Sequence, residues 1–253
     1  MLNYIKSEGF RALKNKNIKI MIGICMALMF SLVAILYYFK SESGFSYANT
    51  RYAVGNIYTS MTLILILTLV IVTILDDSEY KNHTIKHSVA FGISREEIYF
   101  GRFLVMVIAS TIIYVILTAF LAITSYFMLN HSNVGEYMIL ARISLGSFTC
   151  LIAGLSVTYY FFMSMENPAI AATWSMVLLF ALPAVFNLLG MKFEAAKILS
   201  GYMPSNCIDS GSKLVESNGN NMHAIIVASI VGAVWTVAFL AFGMLRFQKK
   251  EIK

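Results

Sequence analysis

His83 and His87 stand four residues apart, a spacing that puts two imidazoles on one helix face, where they could ligate a metal ion. No carboxylate or third ligand completes a zinc signature around them, so the plainer reading is a pair of solvated surface side chains. Nucleotide chemistry is excluded more firmly. The chain has no glycine-rich loop ending in lysine and a hydroxyl residue, and so no backbone-amide cradle for phosphates. Nor does it offer a serine–histidine pair, paired aspartates or a zinc cluster at membrane depth, as intramembrane proteolysis would need. The three cysteines, Cys25, Cys150 and Cys207, are odd in number, and two lie in apolar runs, so they read as packing residues rather than a disulfide framework.

The remaining polar side chains within apolar runs are hydroxyls and amides. Thr59, Thr62, Thr173 and Asn187 are the candidates for lining a substrate path, against the commoner role of bonding to neighbouring helices. Aspartate, glutamate, lysine, arginine and histidine are all expected outside the depths of the spans. That counts against a proton-coupled carrier, which needs ionisable groups along its path.

These residues must be positioned by a membrane bundle. Of the residues, 58% are hydrophobic and 13% charged, and the mean hydropathy is +0.73. A soluble domain carries roughly 25% charged residues. Three prolines, long apolar runs and no alternating strand pattern predict an all-α integral membrane protein rather than a barrel. The chain reads as one transmembrane domain, 1–253. An amphipathic interfacial helix over 1–17 precedes six spans, at about 20–39, 57–75, 100–129, 142–163, 168–190 and 222–245. The first apolar run is too long for a cleavable signal peptide and no small-residue cleavage site follows it. Gly146, Cys150, Gly154 and Thr158 recur at every fourth position, a small-residue stripe for close helix packing. Asn167 and Pro168 form a helix start, and Pro183 predicts a kink. The stretch 191–221 is the longest loop of the outer face, with room for a short re-entrant or surface helix.

Charge sets the orientation. Of the nineteen lysines and arginines, thirteen fall in segments on the side of the termini and six on the other side. This bias predicts a multi-pass membrane protein with both termini in the cytoplasm. The same bias accounts for the net charge of +6 without invoking nucleic acid.

The cytoplasmic segment 76–99 is the most structured polar stretch. Asp76 and Asp77 stand where a helix cap or acidic first turn belongs, and Gly92 stands where a helix stops, which predicts a short helix over 77–91. Ile85 and Val89 lie four apart on it and give it a mildly apolar face. Ser94 followed by Glu97 is a capping box that starts the next helix.

This order of parts resembles the membrane subunit of ABC-2-type ABC transporters over essentially the whole chain. The resemblance is closest in Glu79-Tyr80-Lys81-Asn82-His83-Thr84-Ile85-Lys86 and Gly92-Ile93-Ser94-Arg95-Glu96-Glu97-Ile98-Tyr99, and it departs at His83, where a glycine commonly precedes the threonine. Within the family the chain resembles small permeases of Firmicutes for bacitracin resistance and lantibiotic immunity, which implies a bacterial cell membrane. The resemblance implies that 79–89 is a coupling helix seated on a separate ATPase dimer, with Glu79, Tyr80, Thr84, Ile85, Lys86, Val89, Gly92, Ser94 and Arg95 as the coupling residues. Residues 1–17 would be the elbow helix. It further implies a non-catalytic subunit without a cofactor of its own, ATP and magnesium being held by the ATPase. A second permease copy or paralogue would complete the membrane part, and an antimicrobial peptide, lipid-linked compound or amphiphilic drug would be the cargo. The alternative from another class is a non-transporting membrane sensor or scaffold of a peptide-response system.

Overall fold

A computed structural model describes residues 2–41, 47–53, 61–82, 92–130, 135–206 and 222–249. The described residues are almost wholly helical. In chain order they form α1 (Leu2–Lys14), α2 (Lys16–Tyr38), the single turn α3 (Thr50–Ala53), α4 (Met61–Asn82), α5 (Arg95–Met128), α6 (Gly135–Ser164), α7 (Pro168–Met176), α8 (Leu182–Gly190), α9 (Glu194–Gly201) and α10 (Met222–Lys249). Five helical stretches among these residues are long and apolar enough to cross a membrane. A further, shorter apolar stretch is Ile64–Asp76 of α4. The protein is therefore an all-α membrane protein.

Local chemistry explains the helix ends. Asn15 separates α1 from α2, its side-chain oxygen accepting from the Asn17 backbone N–H at 2.9 Å. Asn167 does the same for Ala169 at 2.9 Å, with Pro168 at the first helical position, where its missing N–H costs nothing. Between α7 and α8 the chain widens into a π-helical turn, Val177–Ala181, just before the buried Pro183. The predicted irregularity therefore sits one turn earlier than the proline itself. Proline cannot donate to the carbonyl four residues back, and the wider turn absorbs that missing bond. Within the loop expected at 191–221, α9 folds back on α8. A Cβ at Gly190 would lie 3.0 Å from the Lys197 Cα, so this hairpin closes tightly on glycine. Its far end reaches α10, where the Trp235 indole donates to the Tyr202 carbonyl at 3.0 Å.

The core is organised on α6. Leu151, Leu155, Val157 and Tyr159 are fully buried along it, with α4 and α10 packed on its sides. The small-residue stripe is divided between these neighbours. Gly154 faces α4, where an added Cβ would come within 2.6 Å of the Leu65 side chain, and the Cys150 thiol lies 3.8 Å from the Ala228 carbonyl of α10. The tightest backbone approach comes from a glycine that the stripe does not include. A Cβ at Gly232 of α10 would lie 2.8 Å from the Thr149 carbonyl, and that obstacle is backbone, which cannot rotate away.

Substituting Gly232 with valine should therefore prise α10 from α6 and destabilise the protein by about 1–3 kcal/mol, the range for overpacking. Thermal unfolding in detergent checks this: a markedly lower midpoint is expected, and a Gly9→Val control, at a site with no heavy atom within 4 Å of an added Cβ, should not share that steric loss.

Candidate functional site

At one end of the bundle the charged and aromatic residues of five helices converge. The C-terminal half of α4 carries Asp76, which sequence reasoning placed at a helix start. The structure corrects this: α4 runs unbroken through Asp76 and Asp77 to Asn82. Nothing in Leu75-Asp76-Asp77-Ser78-Glu79 stops a helix, for it holds neither glycine nor proline. Asp76 instead turns inward and forms an ion pair with Arg102 of α5. Their side chains are only 2% and 3% exposed, so two residues expected to be flanking, solvated charges are core residues. Arg102 also donates to the Met163 sulfur at 3.8 Å, which ties in the end of α6.

Aromatic rings surround this pair. The Tyr159 hydroxyl donates to the Tyr99 carbonyl at 2.8 Å, and the ring of Tyr159 lies 5.0 Å from Tyr99 and 5.6 Å from Phe103. Phe247 of α10 packs at a tilt against Tyr99, ring centres 5.8 Å apart, and Gly243 makes room for the Tyr99 ring, since a Cβ there would clash with the hydroxyl. On the other side α1 lies across the start of α5. Gly101 admits the Tyr4 ring, with an added Cβ only 3.0 Å from Tyr4 Cδ1. A narrow cleft between α1 and the bundle is lined by Glu8, Arg11, Leu75, Arg102 and Met106, and Glu8 and Arg11 pair at 2.6 Å.

Of the residues singled out for coupling, Gly92, Ser94 and Arg95 lie at this end. Gly92 has φ +82°, the left-handed conformation that glycine adopts without strain. Ser94 caps α5, its hydroxyl accepting from the Glu97 N–H at 3.2 Å. Arg95 donates to the carbonyls of Gln248 at 2.7 Å and Phe247 at 3.5 Å, and the Gln248 amide donates to Glu96 at 3.1 Å. A cation thus satisfies carbonyls at the C-terminal end of α10, where the helix dipole favours positive charge. Glu79 and Tyr80 belong to the last turns of α4. Thr84, Ile85, Lys86 and Val89, with the histidine pair His83 and His87, lie outside the described residues, as does Thr59.

Three of the proposed path residues fall among the described residues. Thr62 is in the first turn of α4. Thr173 is exposed and its hydroxyl donates to the Ala169 carbonyl of its own helix at 2.9 Å. Asn187 exchanges two amide hydrogen bonds with Asn206, at 3.3 and 3.0 Å, which pins the residues after α9 to α8. Sequence reasoning missed Asp76, Arg102 and Tyr159. The available signal was a carboxylate one residue past an apolar run, facing an arginine a few residues into the next.

Fold and site define a multi-pass helical membrane protein whose charged end ties the helices leading into and out of one polar segment. Comparison with known families makes the class specific: residues 5–182, most of the chain, match the family described as ABC-2 family transporter protein. The chain belongs to that family and is a membrane permease of an ABC transporter, whose partner is an ABC ATPase. A comparison with curated proteins finds no match.

A buried ion pair broken on one side leaves an uncompensated charge at a cost of about 3–5 kcal/mol, whereas a well-packed apolar replacement of both partners is close to neutral. Asp76→Leu and Arg102→Met should each lower the unfolding midpoint and the yield of folded protein. The double variant should regain most of the loss, as measured by fluorescence-detected unfolding in detergent.

Proposed function

We propose that this permease is the membrane half of an ATP-driven exporter, and that 76–99 is the cytoplasmic element through which a separate ATPase dimer acts on it. One observation carries this reading. The two helices that bracket the polar segment are joined by the buried Asp76–Arg102 pair, and the entry of the second is tied through Arg95 to the end of α10. A push on the segment is thereby delivered to α4, α5, α6 and α10 together instead of being lost in a hinge.

The charge bias of the flanking segments supports placing this end, with both termini, in the cytoplasm, and the resemblance to permeases of Firmicutes supports a bacterial cell membrane. ATP hydrolysis shifts a membrane domain between states only if some element makes different contacts in each. A segment held at one end by a left-handed glycine and a capped helix start, and at the other by α4, suits that role. The functional unit would contain two permeases, identical or paralogous. The cargo class that fits a small permease of this type is an antimicrobial peptide, a lipid-linked compound or an amphiphilic drug.

Reconstitution with the cognate ATPase tests the assignment. The complex should co-purify, and ATPase turnover should rise when the permease is present. A permease that binds peptide but neither moves it nor changes ATPase turnover would make the protein a sensor or scaffold. Gly92→Val sharpens the test. Among the described residues no neighbour lies within 4 Å of an added Cβ there, so the expected loss of about 1–2 kcal/mol is a backbone penalty for the left-handed conformation. The variant should fold and bind the ATPase while transport per ATP hydrolysed falls several-fold.

A further inference from the structure

The face of α1 turned away from the bundle has a composition of its own. Tyr4 and Ala12 are buried on the inner side, and Glu8, the one acidic residue of the helix, pairs with Arg11 at the cleft. Outward stand Phe10 and Leu13, 60% and 68% exposed, with Lys6 one turn before Phe10 and Lys14 one turn after it. The Lys14 ammonium sits 4.5 Å over the Phe10 ring, which binds the cationic and apolar parts into one patch. Across the break fixed by Asn15, the first turn of α2 adds Lys16 and Lys19, both exposed.

A face that only met water would not hold two large apolar side chains open at its centre. A face that only met hydrocarbon would not ring them with four ammonium groups. Apolar residues at the level of the acyl chains, flanked by lysines at the level of the phosphates, are complementary to the surface of an anionic bilayer. We propose that the outer face of α1 and the start of α2 form a binding surface for anionic phospholipid headgroups, with Phe10 and Leu13 inserted and Lys6, Lys14, Lys16 and Lys19 on the phosphates. Because Tyr4 of the same helix is seated on Gly101 of α5, the surface fixes the depth of α5 in the membrane. The inference needs only that the chain sits in a membrane, not that it transports.

The test uses the full chain in a non-ionic detergent, titrated with short-chain phosphatidylglycerol or phosphatidylcholine and followed by thermal unfolding. Phosphatidylglycerol should stabilise at concentrations at least about tenfold lower, since each surface lysine contributes roughly a several-fold gain on an anionic lipid. The preference should shrink as salt shortens the Debye length. It should vanish in a variant with all four lysines changed to glutamine and survive in one with all four changed to arginine. Equal responses to the two lipids in the unmodified chain, or a preference kept by the glutamine variant, would overturn the proposal. So would an equal shift from soluble glycerol phosphate, which would mark a site for free phosphate rather than a membrane surface. If the glutamine variant fails to fold, the milder pairs Lys6→Gln with Lys14→Gln and Lys16→Gln with Lys19→Gln should each lose part of the preference, and a preference untouched by either pair would overturn the proposal.

Discussion

A carboxylate and a guanidinium that face each other out of reach of water constrain everything around them. Asp76 and Arg102 are both nearly fully buried, and charges in such surroundings persist only with a partner held in place. The surrounding structure supplies that partnership at every side. Met163 receives one guanidinium nitrogen, the Tyr99–Tyr159–Phe103 rings exclude solvent, and α1 lies over the remaining opening with Gly101 cut back to let it approach. The pair also fixes register: α4 cannot slide along α5 by one turn without stranding both charges.

The helices differ in how tightly they are held. α6 is enclosed on several sides, with glycines bringing α4 and α10 against its backbone. By contrast, α2, the α7–α8 stretch and α10 expose large apolar faces, including Leu28, Trp174, Leu188 and Phe242, as expected of helices whose outer surfaces meet hydrocarbon rather than water. The polar interactions that join different helices concentrate at the charged end, through Arg95, Arg102, Tyr159 and Arg246. That end is therefore tied across α4, α5, α6 and α10, which is what the proposed grip of a partner on residues 83–91 requires.

Much of this was legible in the sequence where a single short pattern decides a local structure. Gly92, Ser94 with Glu97, and Asn167 with Pro168 each act within one turn of chain, and the apolar runs declare the membrane class by length alone. The ion pair was not legible in the same way. An aspartate at the end of an apolar run has the local signature of a cap, and only the approach of α5 and α6 shows that it points inward. Gly232 was missed for a related reason: one glycine in an apolar helix becomes informative only once Thr149 is found opposite. The hydrogen bonds by which Asn187 holds α8 to Asn206 beyond α9 join segments nineteen residues apart and have no local pattern.

The central claim is that the segment beyond α4 receives force from a separate ATPase and that the ion pair passes it on. Crosslinking tests this directly. With Cys25, Cys150 and Cys207 replaced by serine or alanine, a cysteine at position 85 would be paired with cysteines around the cleft of the reconstituted ATPase. The crosslink should form in the resting complex, change in yield on ATP binding, and lose that dependence when Asp76 and Arg102 are both replaced by apolar residues. Failure to crosslink at any cleft position, or an ATP response unaltered by removing the pair, would contradict the claim.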